Sequence, residues 1–311
     1  MEQEYSYKLS KLAVDLQVDI VYPSSDFEEV QIFSGDVHRP WLQLAGFFDY
    51  FDPTRVQLIG RMESEYMEKV PPEQRLGKWE ALLEQKMPAL IMCHGEKVTD
   101  ELLVAAEKND VTILSTKVHT TTIMSRIIRI VKNEVAPRIT RHGVLVEVYG
   151  IGLFILGESG VGKSETAIEL LKRGHRLIAD DAVEIKVIDS ILQGTAPELI
   201  RHYVELRGIG VVDVRQIFGV GAVKVYQNIH LVVNLEPWQD GAHYDRLGVN
   251  EDTVNILGVD VSAVTIPVKP GRNLAVILEV AAMNQRQKFM GYNAAIEFTK
   301  QINKHFDEKL K

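Results

Sequence analysis

One short stretch of the sequence, GESGVGKSE, matches a phosphate-binding loop. Its glycines, followed by Lys163 and Ser164, satisfy the pattern G-x-x-x-x-G-K-[ST], in which backbone N–H groups curl around phosphate oxygens. Apolar LFIL precedes the stretch and helix-forming ETAIELLKRG follows it, so the flanking elements are those the motif requires. The predicted nucleotide-binding residues are Gly157, Glu158, Ser159, Gly160, Val161, Gly162, Lys163 and Ser164. Lys163 is expected to neutralise the outer phosphates and Ser164 to offer its hydroxyl to Mg²⁺. The alternative is a glycine-rich turn without a ligand.

Two adjacent carboxylates, Asp180 and Asp181, follow the strand-like run RLIA, which comes soon after this loop. In phosphoryl transfer one such carboxylate can hold magnesium through a water while the other accepts a proton from an attacking hydroxyl. Asp-Asp also occurs as a solvated turn. The nearby phosphate loop favours the catalytic interpretation.

Further polar residues allow two interpretations each. His142 stands just before the strand-like GVLVEVY, where a histidine without a catalytic role is also common. Arg246 and Arg272 would converge on anionic oxygens only if their loops share a sheet edge. In VELRGIGVVDV, Glu205 and Arg207 are available for a metal or a phosphate, whereas Gly208 and Gly210 indicate either a close backbone approach or a structural turn.

Strand and helix patterns divide the chain into two parts. In the first part, RVQLIG, ALIMCHG and VTILST are strand-like, and TDELLVAAEKND between the last two predicts a helix, which gives a β-α-β unit. Helical spacing of isoleucines over residues 121–136 predicts a connecting helix that Pro137 ends. We therefore predict an N-terminal α/β domain at 1–132 and a second domain at 133–311.

Glycine-interrupted apolar runs in the second part predict a large sheet. The predicted strands are GVLVEVYG, GLFILG, RLIAD, GIGVVDV, HLVVNL, SAVTIPV and LAVILEV. An amphipathic helix is predicted over residues 292–310, and its apolar stripe, if partly exposed, would be an oligomer contact.

Composition indicates a globular protein with 46% hydrophobic and 25% charged residues. No stretch approaches a membrane span and the N-terminus lacks a secretory pattern, so a cytoplasmic protein without membrane association is expected. The net charge of -8 disfavours nucleic acid as a partner. Acidic and basic residues number 21 and 15 before residue 133 but 22 and 20 after it, which suits a polyanion site in the second part. The single Cys93 lies in an apolar run and is expected to be a buried, inert thiol.

Taken together, the motifs resemble the bacterial HPr kinase/phosphorylase family. The segments that carry the resemblance are GVLVEVYGIGLFILGESGVGKSETAIELLKRGHRLIADDAVEI, APELI, VELRGIGVVDVRQIFGVGAV, YDRLG and IPVKPGRNLAVILEVAAMN. The resemblance implies an enzyme that uses ATP, and commonly pyrophosphate, to phosphorylate a regulatory serine of HPr, the phosphocarrier protein of the sugar phosphotransferase system. It also implies removal of that phosphate by inorganic phosphate with release of pyrophosphate, and a role in carbon catabolite regulation.

The same resemblance implies a homohexamer whose α/β chains each carry a P-loop kinase domain akin to phosphoenolpyruvate carboxykinases, and it suggests a glycolytic bisphosphate as effector. It places active-site positions on His142, Lys163, Asp181 and Arg246, and magnesium on Ser164 and Glu205. It links one segment mainly to dephosphorylation, namely Pro267, Val268, Lys269, Pro270, Gly271 and Arg272. Two rival hypotheses keep the phosphate loop: a kinase with a small-molecule acceptor, and a nucleotide sensor without catalysis.

Overall fold

The computed structural model of the chain describes residues 5–239, 252–269 and 271–309. The chain divides into two compact units, Met1–Pro137 and Arg138–Lys311. Both units combine helices with sheets, so the predicted two-domain α/β architecture is confirmed. No helix in the described ranges is long and apolar enough to cross a lipid bilayer.

The N-terminal unit alternates strands and helices along most of its length. Its strands are β1 Tyr7–Lys8, β2 Asp19–Tyr22, β3 Gln31–Ile32, β4 Val37–His38, β5 Val56–Ile59, β6 Leu90–Met92 and β7 Ile113–Ser115. Its helices are α1 Leu9–Leu16, α2 Trp41–Leu44, α3 Arg61–Lys69, α4 Pro72–Leu83, α5 Asp100–Asn109 and α6 Thr120–Val135. The three strands and the helix of the predicted β-α-β region are all present, at β5, β6, α5 and β7.

A mainly parallel sheet in the order β2-β7-β6-β5-β4 forms the centre of this unit, with β2 antiparallel at one edge. Successive strand residues point to opposite faces, so Leu58 packs in a cluster with α1 and α6 while Ile59 packs in a cluster with α4 and α5. The predicted connecting helix is α6, and its buried Ile123 and Ile127 belong to the core of the N-terminal unit.

The C-terminal unit contains the predicted phosphate loop. Its strands are β8 Arg138–His142, β9 Val144–Val148, β10 Ile151–Gly157, β11 Arg176–Ala179, β12 Ala182–Ile188, β13 Ile191–Thr195, β14 Tyr203–Leu206, β15 Gly210–Asp213, β16 Tyr226–Asn228, β17 Leu231–Pro237, β18 Asp252–Ile256 and β19 Val259–Val268. Its α-helices are α7 Lys163–Lys172, α8 Val214–Phe218, α9 Leu274–Phe289 and α10 Ala294–Lys309. The predicted C-terminal helix is α10.

Two sheets make the framework of this unit. The described strands β11-β9-β10-β17-β19-β18 form one sheet, in which β10, β17 and β19 are parallel, and β16-β13-β12-β8 form the other. Helices α7 and α9 cover one face of the larger sheet through an apolar cluster that includes Leu170 and Leu278. Its other face packs against the smaller sheet, where Phe154 contacts a second cluster. The phosphate loop therefore leaves the carboxyl end of a buried central strand, where ligands of open α/β sheets bind.

One predicted strand is wrong. LAVILEV begins helix α9, because the Asn273 side chain caps the helix by accepting a hydrogen bond from the Val276 amide. Ala275, Leu278 and Ala282 are buried at helical spacing, so the apolar run packs through one helix face. A short apolar run without alternation does not by itself distinguish a buried strand from a helix.

Candidate functional site: a phosphate loop beside two divergent aspartates

The loop between β10 and α7 requires glycine at defined positions. Gly157 has φ +147°, and a Cβ there would lie 2.6 Å from the backbone oxygen of Leu235. Gly160 and Gly162 also have positive φ, at +86° and +102°. These conformations allow the loop to turn sharply into the N-terminus of α7, where free backbone N–H groups and the helix dipole attract anions.

Lys163 is held at the mouth of this loop. Its side chain is only 7% exposed, and its Nζ donates hydrogen bonds to the carbonyl oxygens of Gly157 at 2.8 Å and Glu158 at 3.0 Å. The ammonium group is therefore fixed by the loop itself. Its positive charge therefore lies at the mouth of the loop, beside the backbone groups that the motif predicts around a phosphate.

Asp180 connects three segments of the site. Its Oδ1 accepts a hydrogen bond of 2.8 Å from Ser164 Oγ, and its Oδ2 accepts one of 3.2 Å from the backbone amide of Glu205. The residue is 4% exposed. Burial raises the pKa of the Asp180 carboxyl above its ordinary value, and this outweighs the opposing effect of the hydrogen bonds from Ser164 and Glu205.

Asp181 points the other way. His142 Nδ1 lies 3.0 Å from Asp181 Oδ1, and both side chains are more than half exposed. The contact follows from strand pairing, because β8 and β12 are antiparallel with His142 opposite Ala182. Asp181 has φ +70° and its carbonyl accepts from the Gly143 amide, so the turn directs the two neighbouring carboxylates to different sides.

Arg207 reaches the phosphate loop from the β14–β15 hairpin. Its Nη2 donates to Ser159 Oγ at 2.9 Å, and its guanidinium lies 2.8 Å from where a Cβ on Gly160 would be. Gly208 and Gly210 have positive φ in this hairpin, and a Cβ on either would meet no atom within 4 Å. Their positive φ values fit a tight turn, and within the described protein no atom approaches them closely.

All these groups face one cleft of about 130 Å³. The cleft is lined by His142, Ser159, Gly160, Gly162, Lys163, Ser164, Asp180, Asp181, Glu205 and Arg207, among others. The structure thus brings together the described active-site residues that the sequence analysis named, together with both predicted magnesium ligands. The lining of the cleft carries positive charge on Lys163 and Arg207 and negative charge on the carboxylates of the aspartate and glutamate residues.

The oxygen donors in the cleft fit Mg²⁺. Ser164 Oγ and Asp180 Oδ1 are in contact, Glu205 lines the same cleft, and magnesium prefers such hard oxygen ligands. In the described part of the chain, no three His, Cys, Asp or Glu side chains form a metal cluster by themselves.

Two of the predicted positions, Arg246 and Pro270, lie outside the described residues. Of the predicted dephosphorylation segment, Pro267 and Val268 end β19, and Lys269 Nζ lies 5.2 Å from the centre of the Trp238 ring. Arg272 Nη1 donates to the Pro267 carbonyl at 2.9 Å. The described residues of this segment, 267–269 and 271–272, do not line the cleft of His142 and Asp181. Gly271 and Arg272 line a neighbouring groove.

The aspartate pair was predictable from the sequence, whereas the link through Asp180 from the phosphate loop to the Glu205 hairpin was not. The only sequence signal for this link was the position of Asp180 at the end of a strand soon after the loop. The contact between Arg207 and Ser159 had no local signal, since it joins distant segments.

Comparison with known proteins agrees with this geometry. The model for the HPr Serine kinase C-terminal domain matches residues 133–302, and the model for the HPr Serine kinase N terminus matches residues 7–131. The chain belongs to the HPr serine kinase family. The family resemblance of the sequence is thereby confirmed.

Curated members of the HPr serine kinase family are similar along nearly their whole length. The HPr kinase/phosphorylase of Lachnoclostridium phytofermentans is 49% identical over 99% of this chain and 100% of its own. That of Caldicellulosiruptor bescii is 49% identical over 95% and 96%. A solved structure, the Hpr(Ser) kinase/phosphatase from Coxiella burnetii, is 34% identical, covers 51% of this chain and 98% of its own, and has a TM-score of 0.47.

Proposed function

We propose that this chain is a kinase/phosphorylase that acts on HPr. It transfers the γ-phosphoryl group of ATP to a serine of HPr and removes it again with inorganic phosphate. The observation that carries this proposal is the placement of Asp181, oriented by His142, in one cleft with the phosphate-loop residues Lys163 and Ser164. A nucleotide sensor needs no exposed carboxylate there, whereas transfer to a hydroxyl needs a proton acceptor.

In the forward reaction Asp181 is the general base. His142 Nδ1–H donates to Oδ1 of Asp181, which leaves Oδ2 to take the proton of the attacking serine hydroxyl. The serine oxygen bonds to the γ-phosphorus while the bond to the β–γ bridging oxygen breaks, and ADP leaves. Lys163 and the N-terminus of α7 stabilise the negative charge on the transferred group.

In the reverse reaction the same carboxyl group acts as the acid. Inorganic phosphate attacks the phosphoserine phosphorus, the bond to the serine oxygen breaks, and protonated Asp181 returns its proton to that oxygen. Pyrophosphate and the free serine are the products. One residue serves both directions because each reaction is the reverse of the other at the phosphorylated serine.

Ser164, Glu205 and the buried Asp180 are the residues that would hold Mg²⁺, and the ion would neutralise phosphate charge. Asp180 also fixes Ser164 relative to the Glu205 hairpin. Arg207, whose guanidinium lies over the loop, adds a second positive charge for phosphate oxygens. By family resemblance Arg246 is a further active-site residue, and the segment from Pro267 to Arg272 serves mainly phosphorolysis.

Several finer features extend this proposal. They are the use of pyrophosphate as a donor, a role in carbon catabolite regulation, control by a glycolytic bisphosphate, assembly into a homohexamer, a cytoplasmic location and a kinase unit akin to phosphoenolpyruvate carboxykinases. Family membership supports each of them. Exposed apolar residues on α9 and α10, such as Val280, Phe289 and Phe298, are consistent with contacts between subunits.

The test is the intact mass of purified HPr after incubation with this protein and Mg-ATP. We expect one added phosphate, none on an HPr variant with alanine at the regulatory serine, and loss of the phosphate when inorganic phosphate replaces ATP. Unchanged HPr under conditions where ATP binds would contradict the proposal. That outcome would favour a small-molecule acceptor if ATP is consumed with added metabolites, or a sensor if it is not.

A further inference from the structure

A second groove adjoins the phosphate-loop cleft. It lies between one stripe of α7 and the start of α9, and it has a volume of about 350 Å³. The α7 side is formed by Gly162, Glu165, Thr166 and Glu169, and the α9 side includes Arg272 and Leu274. Glu165 and Glu169 are four residues apart and Thr166 and Glu169 are three, so these three residues lie toward one side of α7. The groove is therefore a continuous surface beside the loop.

The groove and the cleft share residues. Gly162 and Glu165 line both of them, at the point where the loop becomes helix α7. A ligand whose outer phosphates lie against Lys163 and Ser164 would reach the groove by extending past these two residues. Inorganic phosphate and pyrophosphate, which consist only of phosphate groups, have no part that would extend there.

The chemistry of the groove differs from that of the cleft. Glu165 and Glu169 line the groove with carboxylates, and Glu169 also lies 3.5 Å from Arg173 and 3.9 Å from Lys172. Carboxylate oxygens can accept further hydrogen bonds, so they suit hydroxyl and amino donors of an uncharged group. Leu274 and Ala275 provide an apolar wall opposite them. The volume falls within the range of about 300–1,000 Å³ that is usual for small-molecule sites. Arg272 borders the groove, but its Nη1 is bonded to the Pro267 carbonyl.

We propose that this groove binds the nucleoside of the phosphoryl donor. The base packs against Leu274, and hydroxyl and amino groups of the nucleoside donate to Glu165 and Glu169. This inference rests on the proposed function, since it assumes that the phosphate loop holds a nucleoside triphosphate. It predicts that the groove matters for ATP but not for pyrophosphate or phosphate.

Calorimetric binding of Mg-ATP and Mg-pyrophosphate to two variants tests the inference. Glu169→Trp fills the groove, and Asn284→Trp places the same bulk at an exposed position of α9 outside it. We expect Glu169→Trp to weaken ATP binding at least about tenfold, or roughly 1.4 kcal/mol, with pyrophosphate binding unchanged. Asn284→Trp should bind both ligands as the wild type does. If Glu169→Trp leaves both affinities unchanged, or lowers both equally, the groove is not the nucleoside site.

The wild-type protein distinguishes failure of the groove assignment from failure of the proposed function. If it phosphorylates HPr while Glu169→Trp is indistinguishable from it, the groove assignment falls and the proposed function stands. If it binds neither ATP nor pyrophosphate, both fall. Photo-crosslinking of the wild type with 8-azido-ATP provides a test that needs no variant. Label on peptides from α7 or the start of α9 supports the inference, and label confined to other peptides overturns it.

Discussion

His142 Nδ1 lies 3.0 Å from Oδ1 of Asp181, at the rim of the cleft that the phosphate loop forms. Because Nδ1 faces a carboxylate, it carries the proton and donates. Asp181 is thereby oriented while its other oxygen stays free to exchange a proton with a substrate. In the proposed mechanism this contact gives His142 a positioning role, whereas the neighbouring Asp180 is turned inward to Ser164.

Replacing His142 should slow both reactions without preventing ATP binding. We expect His142→Ala to lower kcat roughly tenfold to a hundredfold in both directions, because a misaligned base loses rate steeply. His142→Asn is the matched variant, since its amide can still donate to Asp181, and it should recover part of the loss. Steady-state kinetics of the three proteins checks this. Equal loss in the two variants would argue against positioning through the hydrogen bond.

Gly157 should tolerate a side chain less well than Gly208. Both glycines have positive φ, which costs a non-glycine residue about 1–2 kcal/mol. A Cβ at Gly157 would also lie 2.6 Å from the backbone oxygen of Leu235, whereas a Cβ at Gly208 would meet no atom within 4 Å. We therefore expect Gly157→Ala to lower the unfolding midpoint strongly and weaken ATP binding, and Gly208→Ala to lower the midpoint less, by the cost of its positive φ alone. Thermal unfolding with and without Mg-ATP measures both. Similar losses for the two variants would show that the backbone clash is relieved by movement of the loop.

Cys93 should be inert in the folded protein. The residue is fully buried, and burial raises the pKa of its thiol to about 11. Since the thiolate is the reactive form, a thiol reagent at about pH 8 should label no cysteine in the native protein. After denaturation it should label one, the number in the sequence. Rapid labelling of the native protein would show that the N-terminal unit opens around this residue.

His230 should make the C-terminal unit less stable in mild acid. The Gly152 amide donates to its Nδ1, and burial, together with the Lys224 charge, lowers the pKa of His230 below 6.5. In the unfolded chain His230 takes up its proton near pH 6.5, before the folded protein does. Its stabilising contribution is therefore complete above that pH and is lost as pH falls toward the folded-state pKa.

Urea unfolding between about pH 5 and about pH 7.5 measures the contribution of His230 to the free energy of unfolding. As the pH is lowered, we expect the free energy of unfolding of the wild type to decrease. The decrease should be smaller in His230→Gln, whose side chain does not titrate. The lowered pKa of His202, caused mainly by burial, acts in the same direction and leaves part of the slope in the variant. Identical slopes would mean that His230 titrates normally in the folded protein.

Local pattern was enough to predict the parts of this protein in which neighbouring residues determine structure. The phosphate loop was predictable because its glycines, Lys163 and the flanking elements are contiguous. The β-α-β region of the N-terminal unit was predictable because Leu102 and Ala105 mark one face of a helix between two apolar strands.

The remaining features depend on contacts between segments that are distant in the sequence, and no local pattern predicts such contacts. The pairing of β8 with β12, which brings His142 to Asp181, joins segments separated by the whole phosphate-loop region. The link from Ser164 through Asp180 to Glu205 likewise needs three segments to meet. The strand assigned to LAVILEV failed because seven apolar residues fit either element, and the capping of α9 by Asn273 decides between them.

The central claim is that Asp181 exchanges the proton in both reactions, and Asp181→Asn tests it most directly. The amide keeps the shape of the side chain but cannot accept the serine proton. We predict that HPr phosphorylation by ATP and phosphate-driven dephosphorylation both fall by about 10²–10⁴, while the Kd for Mg-ATP stays near the wild-type value. Undiminished activity in either direction, with ATP binding intact, would contradict the account and remove Asp181 from the role of the base.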